Sequence, residues 1–244
     1  MKVLVIPDVH LKPYMFRQAA DLLRQGAADQ AVCLMDLPDD WGSSRRPDLY
    51  GQTYDAAIAF AEEFPAARWC WGNHDLSYVW RKQQSGYSSS AALTVQEGLL
   101  RLRQTLPADN PICYVQKIDD VLFSHGGILD FFAREHVPAS KYNDVDAVVQ
   151  VINSLGREAM WNDASPVWLR PQHSKMRLYK PRRCLQVVGH TPMEEITRRG
   201  NLISCDVFSL YRDGTPIGTQ EFLLLDTKTW QYRSIKARAS DLEI

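Results

Sequence analysis

The chain has 244 residues and only five cysteines, Cys33, Cys70, Cys113, Cys184 and Cys205, with no Cys-x-x-Cys pair among them. An odd number without that spacing argues against a thiolate zinc site and against a disulfide framework, so a reducing, cytoplasmic setting is expected. Long apolar runs are also lacking: nothing approaches the roughly 20 residues of a membrane-spanning helix. The first apolar stretch, Val3 to Ile6, is too short for a signal peptide and runs straight into Asp8. Charge of one sign is missing too. With Lys and Arg at 28 against Asp and Glu at 29, the formal net charge is −1, which removes any global pull towards nucleic acid or anionic lipid. No repeat, low-complexity tract or linker divides the sequence, so one domain over 1–244 is expected, with a polar end from Lys236 to Ile244 expected to fray.

What is present alternates between short apolar runs and helical spacing. Lys2–Ile6 reads as a buried strand stopped by Pro7, and Met15–Gln25 as a helix stopped by Gly26. Gln30–Met35 and Ala67–Trp71 read as further strands, with a polar loop to Leu49 and a helix over Tyr54–Phe64 between them. The first 75 residues therefore read β-α-β-α-β. Helical spacing returns in Ala91–Leu106 and Val145–Leu155, strands are expected at Asp120–Ser124, Leu185–Val188 and Leu202–Cys205, and Phe222–Leu225 with Trp230–Ile235 reads as a closing hairpin.

Five polar blocks stand where apolar runs stop: Asp8-Val9-His10, Asp36 with Asp39, Gly72-Asn73-His74-Asp75, His125-Gly126-Gly127 and Gly189-His190-Thr191. The C-terminal ends of strands are where α/β proteins place ligands. Asp, Asn and His supply oxygen and imidazole donors without a thiolate, a set suited to a pair of Mn, Fe or Zn ions. Two cations held about 3.5–4 Å apart call for a bridging carboxylate, and Asp36, alone after its strand, is the natural bridge.

In order and residue type these blocks resemble the calcineurin-like metallophosphoesterases, and within them the phosphoprotein phosphatase and diadenosine tetraphosphatase branch. The resemblance implies an α/β fold, a four-layer α-β-β-α sandwich of two mixed β-sheets flanked by helices. It implies that Asp8, His10 and Asp36 hold a first metal and that Asp36, Asn73, His125 and His190 hold a second, with manganese the first choice. It further implies that a metal-bridging hydroxide attacks phosphorus directly, that His74 is the general acid, and that Asp39 orients it. Asp75 is expected to support the loop. His136 and His173 lie outside every block and receive no role.

Three departures narrow the function. Met35 replaces the glycine expected before the bridging Asp, a change expected to be tolerated because Asp36 is intact. The segment Asp39-Asp40-Trp41-Gly42 lacks the arginine that follows the second Asp in serine/threonine phosphatases. Pro192 stands where nuclease-like relatives carry a second histidine, which argues against a nuclease and, more weakly, against a phosphodiesterase. The basic stretch holding Arg170, Lys175, Arg177, Lys180, Arg182 and Arg183 offers a substitute phosphate clamp, with Arg170 chosen from its resemblance to the stretch before the last histidine in bacterial phosphatases of this branch. Trp161, Trp168 and Tyr179 nearby could stack on a base or pack inside. The expected function is hydrolysis of phosphomonoesters, on proteins or on small metabolites and nucleotides. Phosphodiesterase or dinucleoside-polyphosphate hydrolysis is the alternative, and a non-catalytic metal-binding scaffold a more distant one.

Overall fold

The sequence of β1 (Lys2–Ile6) explains why two sheets face each other. Val3 and Val5 point to one face, Leu4 and Ile6 to the other, and all four are fully buried. Strand side chains alternate, so an unbroken apolar run is stable only when both faces are covered. The structure is a computed structural model that describes residues 1–238 apart from Gly42, Ser44, Arg45 and Ser174. The remaining strands are β2 (Gln30–Cys33), β3 (Arg68–Trp69), β4 (Val115–Ile118), β5 (Val121–Ser124), β6 (Leu185–Val188), β7 (Thr197–Arg199), β8 (Leu202–Ser204), β9 (Glu221–Asp226) and β10 (Tyr232–Lys236).

One five-stranded sheet runs β10-β9-β1-β2-β3 and the other β4-β5-β6-β8-β7. Both are mixed. In the first, β1, β2 and β3 are parallel while β9 and β10 are antiparallel additions. In the second, β5, β6 and β8 are parallel and are flanked by antiparallel β4 and β7. Val3, Val5, Val32, Leu223 and Leu225 of the first sheet meet Val121, Phe123, Leu185, Val187 and Ile203 of the second in an apolar layer between them.

The helices are α1 (Tyr14–Arg24), α2 (Pro47–Glu63), α3 (Asn73–Val79), α4 (Ala92–Thr105), α5 (Asp130–His136), α6 (Val145–Asn153) and α7 (Arg157–Met160). Helix α1 packs on β1 and on α2, which packs on α4, while α6 packs on β4 and on α5. The outward residues Leu4, Ile6 and Cys33 thus share a core with Phe16, Tyr54 and Leu99, completing the expected α-β-β-α layering. None of the helices among the described residues is long and apolar enough to cross a membrane.

Several boundaries differ from expectation for local reasons. Helix α2 starts at Pro47, a full two turns before Tyr54, with Pro in the first turn and Asp48 beside it, both favourable at a helix start. Strand β3 keeps two residues because Cys70 pairs only across to Cys113, as an isolated bridge. Helix α3 and strand β7 are too short for a periodic signal, β7 is a polar edge, and β4 places Gln116 and Lys117 between its two apolar residues. Of the expected frayed end, Lys236 closes β10 and Ala237 is buried, while 239–244 lie outside the described residues, as does Gly42.

Candidate metal centre

Each sheet contributes the carboxyl ends of its three parallel strands to one place. Asp8 and His10 follow β1, Asp36 follows β2, Asn73 and His74 follow β3, His125 follows β5, His190 follows β6 and Asp206 follows β8. The donor atoms of Asp8, His10 and Asp36 lie within 4.8 Å of one another, and so do those of Asp36, His125 and His190. Asp36 is common to both sets. His125 Nε2 lies 2.9 Å from Asn73 Oδ1 and 3.1 Å from Asp36 Oδ2, which adds Asn73 to the second set.

Hydrogen bonds fix which ring nitrogen each histidine turns inward. His125 Nδ1 donates to the Leu34 carbonyl and His10 Nδ1 to the Asp39 carbonyl at 2.7 Å, so the Nε2 atoms of both rings face the carboxylates. His190 is reversed: its Nε2 donates to the Trp168 carbonyl, leaving Nδ1 for the centre. Bonding one nitrogen to a carbonyl sets the tautomer that presents a lone pair to a metal. Backbone amides anchor the carboxylates. The amide of His190 donates to Asp8 Oδ2 at 2.8 Å and that of His74 to Asp36 Oδ1 at 2.9 Å. Gly189 and Gly72 make these approaches possible, since a Cβ at either would overlap Asp8 Oδ1 or Asp36 Oδ1.

Asp8 Oδ1 is buried without a hydrogen-bond partner. Burial, followed by the neighbouring Asp206 and Asp36, raises the Asp8 carboxyl well above its ordinary range. Asp36 behaves oppositely. Burial pushes it upward, yet the imidazoles of His125, His74 and His10 outweigh burial and hold it low. Burial, aided by His125 and Arg170, keeps His190 well below an ordinary histidine, hence neutral. An orphaned carboxylate oxygen and three lone-pair atoms converging on each other are the signature of a site that fits cations.

His74 joins neither donor set. Its Nδ1 pairs with Asp39 Oδ2 at 2.8 Å, and the other Asp39 oxygen accepts from the hydroxyls of Tyr50 and Tyr78. Burial would lower the His74 pKa, but Asp36 and Asp39 outweigh it and raise the ring to about 9. Asp75 accepts from the amides of Asp36 and Leu37, so it braces the loop that carries Asp36. Lys12, also buried, pairs with Asp40 at 2.7 Å and caps the His10 carbonyl at 3.0 Å.

A cleft of about 240 Å³ opens over this cluster, walled by His10, Asp36, His74, His190, Arg170 and Asp206, with Trp41, Leu210 and Ile217 also in its lining. Arg170 is exposed there, and its Nη1 donates to the His190 carbonyl and the Thr191 hydroxyl. The rest of the basic stretch is spent elsewhere or faces solvent; Lys180, for instance, bonds Asn143 and lies over the Tyr142 ring. Tyr179 is fully buried and donates to the Tyr142 carbonyl, which removes it as a base-stacking platform. Trp161 and Trp168 pack edge-on against each other, and Trp168 packs edge-on to His190. The residues that sequence reasoning missed are Tyr50, Tyr78 and Lys12, whose apolar or loop settings carry no motif. Asp206, after β8, is buried, accepts from the Ser209 hydroxyl and faces Asp8.

Comparison with known proteins identifies the family of the chain. The profile of the calcineurin-like phosphoesterases matches residues 1–215. No curated protein matches the chain. Among solved structures, the cold-active protein-tyrosine phosphatase of a psychrophilic Shewanella species is similar at 19% identity and a TM-score of 0.57, over 96% of this chain and 80% of that one. An archaeal phosphodiesterase is similar at 15% identity and a TM-score of 0.44, over 96% and 99% of the two chains. A metallophosphoesterase from Sphaerobacter thermophilus follows at 16% identity and a TM-score of 0.46, over 99% and 91%. The blocks, their order and the profile that spans them have one explanation: the chain belongs to the calcineurin-like phosphoesterases, hydrolases that use divalent metals.

Proposed function

We propose that the protein is a phosphomonoesterase working with two divalent cations, manganese first among them. The first would be held by Asp8, His10 and Asp36, the second by Asp36, Asn73, His125 and His190. The observation that carries this reading is that Asp36 belongs to both donor sets while His74, clamped by Asp39, stands beside them and joins neither. When bound, the metal pair supplies Lewis acidity and an activated water for direct attack at phosphorus, without a covalent enzyme intermediate. Arg170, exposed at the cleft wall, grips the phosphoryl oxygens. His74 gives its proton to the leaving oxygen, and Asp39, itself held by two tyrosine hydroxyls, keeps the ring in the protonated form that can do so.

Substrates are phosphorylated proteins or small phosphorylated metabolites. Trp41, 44% exposed in the cleft lining with Arg212 over its ring, is the observation that favours a nucleotide among the latter and keeps dinucleoside polyphosphates as a second reading. Pro192 in the cleft wall removes the extra imidazole of the diester-cleaving pattern. Five free thiols, four of them buried, support a cytoplasmic setting.

Phosphopeptides, mononucleotides, diadenosine tetraphosphate, p-nitrophenyl phosphate and its bis-ester, tested with added manganese, separate these readings. The proposal expects the monoesters to be cleaved. Bound metal without turnover of any ester would mean a scaffold. His74→Ala should keep both metals and lose on the order of 10²–10⁴-fold in kcat on esters with poor leaving groups, with a smaller loss on p-nitrophenyl phosphate. Loss of the metals from this variant would overturn the division between ligands and acid.

A further inference from the structure

The connection between α3 and α4 touches every functional group that β3 delivers. Gln84 Oε1 accepts from Asn73 Nδ2 at 2.9 Å, and this bond turns Asn73 Oδ1 towards His125. Gly86, at a φ of +87°, lies against the acid: a Cβ there would stand 3.2 Å from His74 Cε1 and 3.5 Å from Asp39 Cβ. The Ser88 amide donates to the Tyr78 hydroxyl at 2.8 Å, and that hydroxyl donates to Asp39. Tyr87 stacks on the Tyr78 ring at 4.2 Å, fastening the far end. Within five residues the segment thus reaches a metal donor, the acid and, through Tyr78, the acid's partner.

Gln84 also carries an unusual cost. Its Nε2 is buried with no hydrogen-bond partner, although turning the amide over would move that nitrogen elsewhere. A buried donor without a partner is unfavourable, because it has given up water for nothing. The turned-over amide would set its NH2 against the NH2 of Asn73, so the orphan is the consequence of holding Asn73 with its oxygen inward. An asparagine oxygen ligates a cation and its nitrogen does not, so the orientation of this one amide decides whether the second donor set is complete.

We propose that residues 84–88 form a positioning strap, in which Gln84 sets the Asn73 amide for the second metal while Gly86 and Ser88 set the His74–Asp39 pair. The strap rests on the two-cation reading above, and it makes the metal donor and the acid adjustable by separate residues of one segment. Gln84 and Gly86 are positioning residues; they act through Asn73 and His74.

The test uses the full chain, stripped of metal and titrated with Co(II), followed by visible absorption and by calorimetry. Gln84→Leu should weaken the second cation by about 10–100-fold and leave the first unchanged. Gln84→Glu, which keeps an acceptor for Asn73 Nδ2, should restore most of the loss. Gly86→Ala should bind both cations as the unaltered chain does, yet show a steeper dependence of kcat on leaving-group pKa, because the acid is displaced. Thermal melts of each metal-free variant separate these effects from misfolding. Wild-type cation affinities in Gln84→Leu, or equal loss of both cations in Gly86→Ala, would overturn the strap. If the unaltered chain itself takes up one cation or none, the two-cation reading fails instead, and the two failures are distinguishable.

Discussion

Left-handed backbone at non-glycine residues gathers around the centre: His10 at a φ of 43°, Asp36 at 46°, Asp39 at 65° and His190 at 64°. Each such residue costs roughly 1–2 kcal/mol relative to a right-handed one, and strain of this kind is retained where it aims a side chain. Met35, at 58°, carries the same conformation that a glycine would take without strain, which accounts for the glycine expected at this position. The fully buried thioether decides the balance. Met35→Gly relieves about 1–2 kcal/mol of strain but forfeits side-chain burial of about 2–5 kcal/mol. A net loss of up to about 4 kcal/mol is therefore expected in urea denaturation, and a stabilised variant would show that strain dominates. The residues named as donors from the sequence do converge, because each sits in a block at a strand end. Tyr50 and Tyr78 were not legible. Nothing in their spacing relates them to Asp39, and an aromatic residue on a helix reads as core until its hydroxyl is seen to have a partner.

Helix α4 shows how unequal neighbouring positions become once an element is placed. Leu99 is 2% exposed and packs into the core with Tyr54 and Leu102, whereas Leu100 is 55% exposed. Leu99→Ala should cost about 2–5 kcal/mol, and Leu100→Ala no more than about 0.5 kcal/mol. Chemical denaturation of the two variants checks this, and equal losses would mean that the outer face of α4 is covered in solution. The long helices and the buried strands were legible because their periodicity runs for two turns or four residues. The seven-residue α3 and the three-residue β7 fall below that length, and α2 begins among Ser, Arg and Pro residues that read as loop.

The two sheets meet through an apolar layer, but at their carboxyl edge they meet through charge. Asp8, His10, Asp36 and Asn73 come from the first sheet, His125 and His190 from the second. Without cations the edge holds crowded carboxylates, one with an oxygen lacking any partner. A cation in the set of Asp36, His125 and His190 would be shared by both sheets, and any cation bound at this edge would stabilise the native state by mass action. At a free concentration of 100 times Kd, the gain is about 2.7 kcal/mol per site. For a chain of this size that raises Tm by about 5–10 °C. Calorimetry with manganese against a chelator checks the figure, and identical melting temperatures would mean that the edge binds no cation.

The His190 amide reaches back to the Asp8 carboxylate across 182 positions of sequence. β1, which carries Asp8, gains its antiparallel neighbour only when β9 arrives later still. Polypeptide leaves the ribosome amino end first, at about 5–20 residues per second. Asp8 therefore waits on the order of 10–40 s for His190 to be made. During that interval the set of Asp36, His125 and His190 stays open, although Asp8, His10 and Asp36 have all been made, so the two halves of the centre become complete at different times.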